Sequence, residues 1–167
     1  IVLTTDFSFF ATAGVISRLN AKPIFLDISP ESWNLDAQQL RQKIESMSAE
    51  EIKKVKAIIV VHLYGQSADM EPILDCAESY GIPVIEDAAQ AIGAEYDLGG
   101  SARKVGSMGT FGCFSFFPSK NLGGIGDGGI ITVQDPELAS ILRIKRVHGG
   151  EKKYYHRVIG GNFRLDP

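Results

Sequence analysis

The run Lys56-Ala57-Ile58-Ile59-Val60-Val61-His62-Leu63 constrains the fold of this chain more than any other stretch. It is nearly all apolar, the pattern of a strand with both faces covered, as in a buried parallel sheet. Its surroundings repeat one alternation. Strands are expected over residues 1–5, 22–28, 82–87, 110–116 and 129–133, and helices over 11–19, 37–46, 69–80 and 135–147. Asn34 or Asp36 can cap the second helix and Asp69 the third, which has Pro72 in its first turn. Asp135-Pro136-Glu137 opens the last helix. Residues 98–108 are expected to form a loop. Strands joined by helices require crossover connections. The expected fold class is therefore α/β, with a mostly parallel central sheet and helices on both faces.

A chain of 167 residues, 44% hydrophobic and 22% charged, is long enough for one globular domain with a sizeable core. A net charge of -3 and an isoelectric point near 5.6 give no sign of a nucleic-acid partner or an acidic membrane. No apolar run approaches membrane-spanning length, and no basic stretch precedes a hydrophobic one. Cys76 and Cys113 form neither a close pair nor metal-ligand spacing. They read as small buried hydrophobes in a reducing compartment, and the expected location is cytoplasmic. A late basic cluster, Arg143, Lys145, Arg146, Lys152 and Lys153, lies beside Tyr154, Tyr155 and His156. It reads as a solvated face that could also meet an anionic substrate.

In open α/β sheets ligands gather beyond the carboxyl ends of the strands. Asp87, the turn Val61-His62-Leu63-Tyr64-Gly65 and Lys120 all fall at such ends. Lys120 stands between the aromatic run Phe114-Ser115-Phe116-Phe117 and the turn Asn121-Leu122-Gly123-Gly124. Partial desolvation there would favour the neutral, nucleophilic amine. A carboxylate and a lysine one crossover unit apart suit pyridoxal phosphate chemistry: the acid keeps the pyridine nitrogen protonated, and the lysine holds the aldehyde carbon and moves protons. A structural ion pair, or a cap and a surface amine, fits the same spacing.

Other constellations carry less. Gly124-Ile125-Gly126-Asp127-Gly128-Gly129 matches a dinucleotide fingerprint in letters, but a strand is expected after it and none before, so that reading is rejected. Its glycines instead suit a sharp backbone turn near a ligand. His62 is either a satisfied core histidine or a site-lining group. His148 and His156 lack metal spacing. Ser8, Ser115 and Ser119 have no evident histidine base. Phe7, Phe9 and Phe10 follow the first strand, where an aromatic can lie against a planar ring.

The ordered set Val61-His62-Leu63-Tyr64-Gly65-Gln66, Glu86-Asp87-Ala88-Ala89-Gln90-Ala91, Phe114-Ser115-Phe116 leading to Lys120-Asn121-Leu122, Gly126-Asp127-Gly128-Gly129, His148-Gly149 and Gly161-Asn162-Phe163-Arg164 resembles the DegT/DnrJ/EryC1/StrS family of nucleotide-sugar aminotransferases. That resemblance implies a type I, aspartate-aminotransferase-like fold and pyridoxal 5'-phosphate as cofactor. It implies Lys120 as the Schiff-base lysine, Asp87 as partner of the pyridine nitrogen and Gln90 beside the ring hydroxyl. Ser115 becomes a donor to the cofactor phosphate and Phe9 the ring that stacks. Asn162 is implied to reach the phosphate of a neighbouring subunit's cofactor, in a homodimer with shared active sites. The implied substrates are a nucleotide-linked keto-sugar and an amino-acid donor, glutamate or glutamine.

Family members are longer, with an upstream helix whose N-terminus grips the phosphate and a smaller C-terminal domain. Residues 1–167 are thus expected to form a single domain, most of the large cofactor-binding one. Some relatives carry histidine in place of the lysine and dehydrate sugars, so Lys120 argues for transamination. A dehydratase or lyase using the same cofactor, and a non-catalytic remnant of the family, are the alternatives.

Overall fold

The computed structural model describes residues 1–165. Its centre is a six-stranded sheet built from β1 (Val2–Thr5), β2 (Pro23–Leu26), β3 (Ala57–Val61), β4 (Val84–Asp87), β7 (Phe111–Ser115) and β8 (Gly129–Thr132), in the order β2-β1-β3-β4-β7-β8. Every neighbouring pair is parallel except β7 with β8. The helices are α1 (Phe10–Arg18), α2 (Ala37–Glu45), the short α3 (Ala49–Ile52), α4 (Met70–Ser79) and α5 (Pro136–Lys145).

Two-residue alternation along the strands sends their side chains to two separate layers. Leu3, Ile58, Val60 and Val84 pack with Leu40 and Ile44 of α2 and with Ile73, Cys76 and Ala77 of α4. Val2, Ala57 and Ile59 pack on the opposite face with Ile16 of α1. Helices therefore cover both faces, and β3 is buried at every position, as its apolar run requires. After β1 the chain adds β2 on one side, then returns to place β3 on the other. That reversal opens a crevice at the carboxyl ends of β1 and β3.

The expected helix caps form, with the exception of Asp69. Asp36, not Asn34, caps α2, accepting from the Gln38 and Gln39 backbone N–H groups. Asn34 is buried instead. It accepts from Leu63 N–H at 2.9 Å and donates to the Gln66 carbonyl at 3.2 Å, bracing the turn after β3. Asp69 precedes α4 without capping it by side chain, because its Oδ1 accepts the Tyr96 hydroxyl at 2.6 Å.

Residues 98–108 are not all loop. A hairpin of β5 (Glu95–Leu98) and β6 (Ser101–Lys104) turns on Gly99 and Gly100, both at positive φ. Two glycines supply the left-handed pair that a tight hairpin needs, a signal that outweighed the polar composition. A second small hairpin, β9 (Gly150–Lys152) with β10 (Tyr155–His156), follows α5. There Lys152 and Lys153 sit over the rings of Tyr155 and Tyr154, at 5.2 and 5.1 Å.

Candidate functional site

Parallel pairing decides which side chains can meet at the sheet edge. Asp87 on β4 is in register with Cys113 on β7 and shares the face of Ile85, the face covered by α1. Ser115 stands two residues beyond Cys113 and so points to that face too. Phe9 is the N-cap residue of α1, the helix whose Thr12 reaches Asp87, and is 73% exposed. Asp87 and Ser115 thus come to one edge on one face, and Phe9 opens the helix that covers that face.

Asp87 is held by two donors. Thr12 Oγ1 donates to its Oδ2 at 2.9 Å, and Ala89 N–H donates to its Oδ1 at 3.2 Å. Ser8 Oγ lies 2.8 Å from Thr12 Oγ1. Gln90, three residues on, accepts the Tyr64 N–H through Oε1 at 3.2 Å. Tyr64 is left-handed, with φ of 52°, and its ring is 73% exposed. The turn after β3 is therefore fastened to the segment after β4.

Lys120 ends a tight turn: its N–H donates to the Phe117 carbonyl, and Gly124 N–H closes back on the Phe116 carbonyl. Gly123 makes this possible, since a Cβ there would run into the Pro118 carbonyl. The Lys120 side chain is half-buried, and among the described residues its ammonium has neither an ion pair nor a hydrogen bond. No ion pair joins it to Asp87, so the structural ion-pair explanation for these two residues does not hold. Ser115 Oγ accepts the Phe117 N–H at 3.2 Å and retains its own proton to donate.

Asn162 is not part of this group. It bridges Val147 through its backbone, and its Oδ1 accepts from Arg164 N–H and Nε–H. None of its hydrogen bonds reaches Asp87, Ser115 or Lys120.

Behind the edge lies a buried polar hub. Glu86 and His62 are both fully buried, and His62 Nε2 is 3.1 Å from Glu86 Oε2. Ala68 N–H donates to His62 Nδ1 at 3.0 Å, so the proton of the neutral ring sits on Nε2 and points at Glu86. Glu86 also accepts backbone N–H groups from Gly106 at 2.6 Å, Met108 at 2.8 Å and Gly109 at 2.6 Å. Burial pushes its carboxyl up, but the His62, Gly109 and Gly106 hydrogen bonds outweigh it and hold it below the usual carboxylate range. His62 is a satisfied core histidine.

Next to this pair, the half-buried Cys113 thiol is pushed to about 11 by burial and by the charges of Asp87 and Glu86. Cys76 is buried in α4, and both thiols are free. Among the described residues no cluster of His, Cys, Asp and Glu could hold a metal ion, and no helix is long and apolar enough to cross a membrane.

The sequence reading missed Thr12 and the Glu86 hub. Thr12 carried only the signal of a hydroxyl in an otherwise apolar helix start, with its partner 75 residues away.

Residues 1–167 match the DegT/DnrJ/EryC1/StrS aminotransferase family. The chain belongs to that family. It is 53% identical over 165 residues to a "Pleiotropic regulatory protein" of Geobacillus stearothermophilus, covering 99% of this chain and 41% of that one. It is 46% identical over 165 residues to the UDP-2-acetamido-2-deoxy-3-oxo-D-glucuronate aminotransferase of Pseudomonas aeruginosa, covering 99% and 43%. The solved structure of NtdA from Bacillus subtilis, described with bound cofactor PMP, superposes with a TM-score of 0.83 at 31% identity, over 98% of this chain and 35% of that one. The chain thus spans about two fifths of the length of these curated relatives.

Proposed function

We infer that the full-length protein is a pyridoxal 5'-phosphate-dependent aminotransferase that converts a nucleotide-linked keto-sugar into the amino sugar, with glutamate or glutamine as nitrogen donor. One observation carries this reading. The end of β4 presents a carboxylate fixed by one donor on each oxygen, and the turn after the neighbouring β7 carries a lysine amine without a partner among the described residues. A pyridinium ring asks for that acid, since each Asp87 oxygen keeps a lone pair for a cationic N–H. The donor set fits the cofactor's remaining groups as well: a hydroxyl on Ser115, an amide on Gln90 and an open aromatic face on Phe9.

Bound pyridoxal phosphate supplies an electron sink that makes loss of a proton from the nitrogen-bearing carbon feasible. Asp87 holds the proton on the ring nitrogen and so keeps the ring electron-poor. With the cofactor bound, Lys120 Nζ would take the proton from the donor carbon and return it on the other side of the exchange, as base and then acid. Ser115 Oγ would donate to the cofactor phosphate, Gln90 would meet the ring hydroxyl, and Phe9 would cover one ring face and exclude water. Asn162, tied to the segment after α5 rather than to this edge, serves the phosphate of a second subunit in a homodimer. The keto-sugar nucleotide of the Pseudomonas relative supports the substrate class, and the reaction belongs in the cytoplasm.

The test uses the full-length protein with a keto-sugar nucleotide and glutamate or glutamine. Amino sugar and keto acid should form one for one, and Lys120→Ala should abolish both turnover and the visible absorbance of the bound cofactor. Turnover surviving in Lys120→Ala, or sugar product without consumption of donor nitrogen, would overturn the reading.

A further inference from the structure

The end of β4 is reached by a short chain of hydroxyls from α1. Thr12 is 5% exposed, with Oγ1 2.9 Å from Asp87 Oδ2, and Ser8 Oγ is 2.8 Å from that same Thr12 oxygen. A carboxylate only accepts, so the single hydroxyl proton of Thr12 points at Asp87. The proton in the Ser8–Thr12 contact must then come from Ser8. The direction of the chain is fixed: Ser8 donates to Thr12, and Thr12 donates to Asp87.

The packing of α1 does not require this arrangement. Burial of that helix against the sheet runs through Ile16 on Val2, Ala57 and Ile59. A valine at position 12 would fill nearly the same volume without donating anything. What the hydroxyl adds is a hydrogen bond to a charged acceptor, the stronger class of such bonds. The second Asp87 oxygen is held independently by Ala89 N–H at 3.2 Å. Two donors from different elements, one per oxygen, fix the carboxylate plane. Phe9 caps the same helix that carries Thr12, so one helix start sets both the exposed ring and the carboxylate.

We propose that Thr12, backed by Ser8, is a positioning residue that orients Asp87 toward the ring nitrogen of the bound cofactor. This rests on the functional reading above and adds to it the element that aims the acid. Without the Thr12 hydroxyl the carboxylate is free to turn about its last bond and to leave the plane of its partner. The ring nitrogen then holds its proton less firmly.

The experiment compares Thr12→Val, Thr12→Ser and Ser8→Ala with the parent in the full-length protein. It measures pyridoxal 5'-phosphate affinity by absorbance titration, the pH midpoint of the bound cofactor's visible band, and the melting temperature of the cofactor-free protein. Thr12→Val should weaken cofactor binding about tenfold and move the pH midpoint, as loss of one hydrogen bond to a charged group implies. Thr12→Ser should stay within about twofold of the parent at the same midpoint, because the hydroxyl remains. Ser8→Ala should move the midpoint in the direction of Thr12→Val, by less.

Parent-like affinity and midpoint in Thr12→Val would overturn the proposal. So would Thr12→Ser losing as much as Thr12→Val, which would assign the effect to the methyl group and packing. If Thr12→Val melts before it can be measured, an unmoved midpoint in Ser8→Ala overturns it instead. A parent that takes up no pyridoxal phosphate at all is the distinct outcome that ends the functional reading, and this inference with it.

Discussion

Glu86 and Asp87 are consecutive carboxylates on β4 with opposite surroundings. Glu86 points to the face covered by α2 and α4, is fully buried, and spends its capacity on four donors from two segments, His62 and residues 106–109. Asp87 points to the face of α1, is half-buried, and accepts one donor per oxygen. A period of two separates them, and burial then sorts the same chemistry into two jobs. A satisfied buried carboxylate organises loops. A carboxylate with lone pairs left over at a strand end is free to bind.

The largest expected effect separates these jobs by function. Asp87→Asn in the full-length protein should lower turnover by about 10²–10³-fold, the usual loss when one electrostatic partner of the reacting group is removed. Its stability should change little, by about 1 kcal/mol or less. The Ser8–Thr12 hydroxyls can rotate so that Thr12 accepts from the new amide. Steady-state kinetics beside urea denaturation checks both halves. A large loss of stability would place Asp87 with Glu86 as a structural acid.

Glu86→Gln should show the reverse. One Glu86 oxygen accepts from Met108 and Gly109, and the other from Gly106 and His62, so the new amide NH₂ faces N–H donors whichever way it is placed. His62 cannot relieve this by moving its proton, because Nδ1 already accepts from Ala68. Breaking a buried, charge-assisted set of this kind costs about 3–5 kcal/mol.

The pH dependence follows from the lowered carboxyl of Glu86. The unfolded chain takes up this proton at a higher pH than the folded one. The stabilisation is therefore complete above the ordinary glutamate range, and it is lost as pH falls through the lowered folded value. Urea midpoints on acidification should fall in the parent, and Glu86→Gln should lack that share of the slope.

How much of this was legible in sequence follows the same division. The strands, the crossovers and the Asp36 and Asp135 caps could be read because their signals are local: period, cap and turn. That Asp87 ends a strand and Lys120 lies in a turn just past one could be read, because strand ends and glycine turns carry local signals. Glu86 could not, since its donors lie 20 to 24 residues away and a lone acid in an apolar strand names none of them. Thr12 was hidden for the same reason over 75 residues. The Gly99-Gly100 hairpin was local but was outweighed by the polar and charged residues around it.

The smallest expected effect reads both carboxylates from one neighbour. Cys113 is in register with Asp87, and its thiol stands at about 11 through burial first, then the charges of Asp87 and Glu86. The thiolate is the reactive form, so alkylation of Cys113 near neutral pH should be slow in the parent. Asp87→Asn removes one of the two negative charges and leaves the Glu86 hub in place. The thiol should then titrate lower, and alkylation at fixed pH should speed up by less than about tenfold. Mass spectrometry of the labelled peptide distinguishes Cys113 from the buried Cys76. An unchanged rate would mean that the Asp87 charge is not felt across the strand pair, leaving burial and Glu86 to account for the raised thiol.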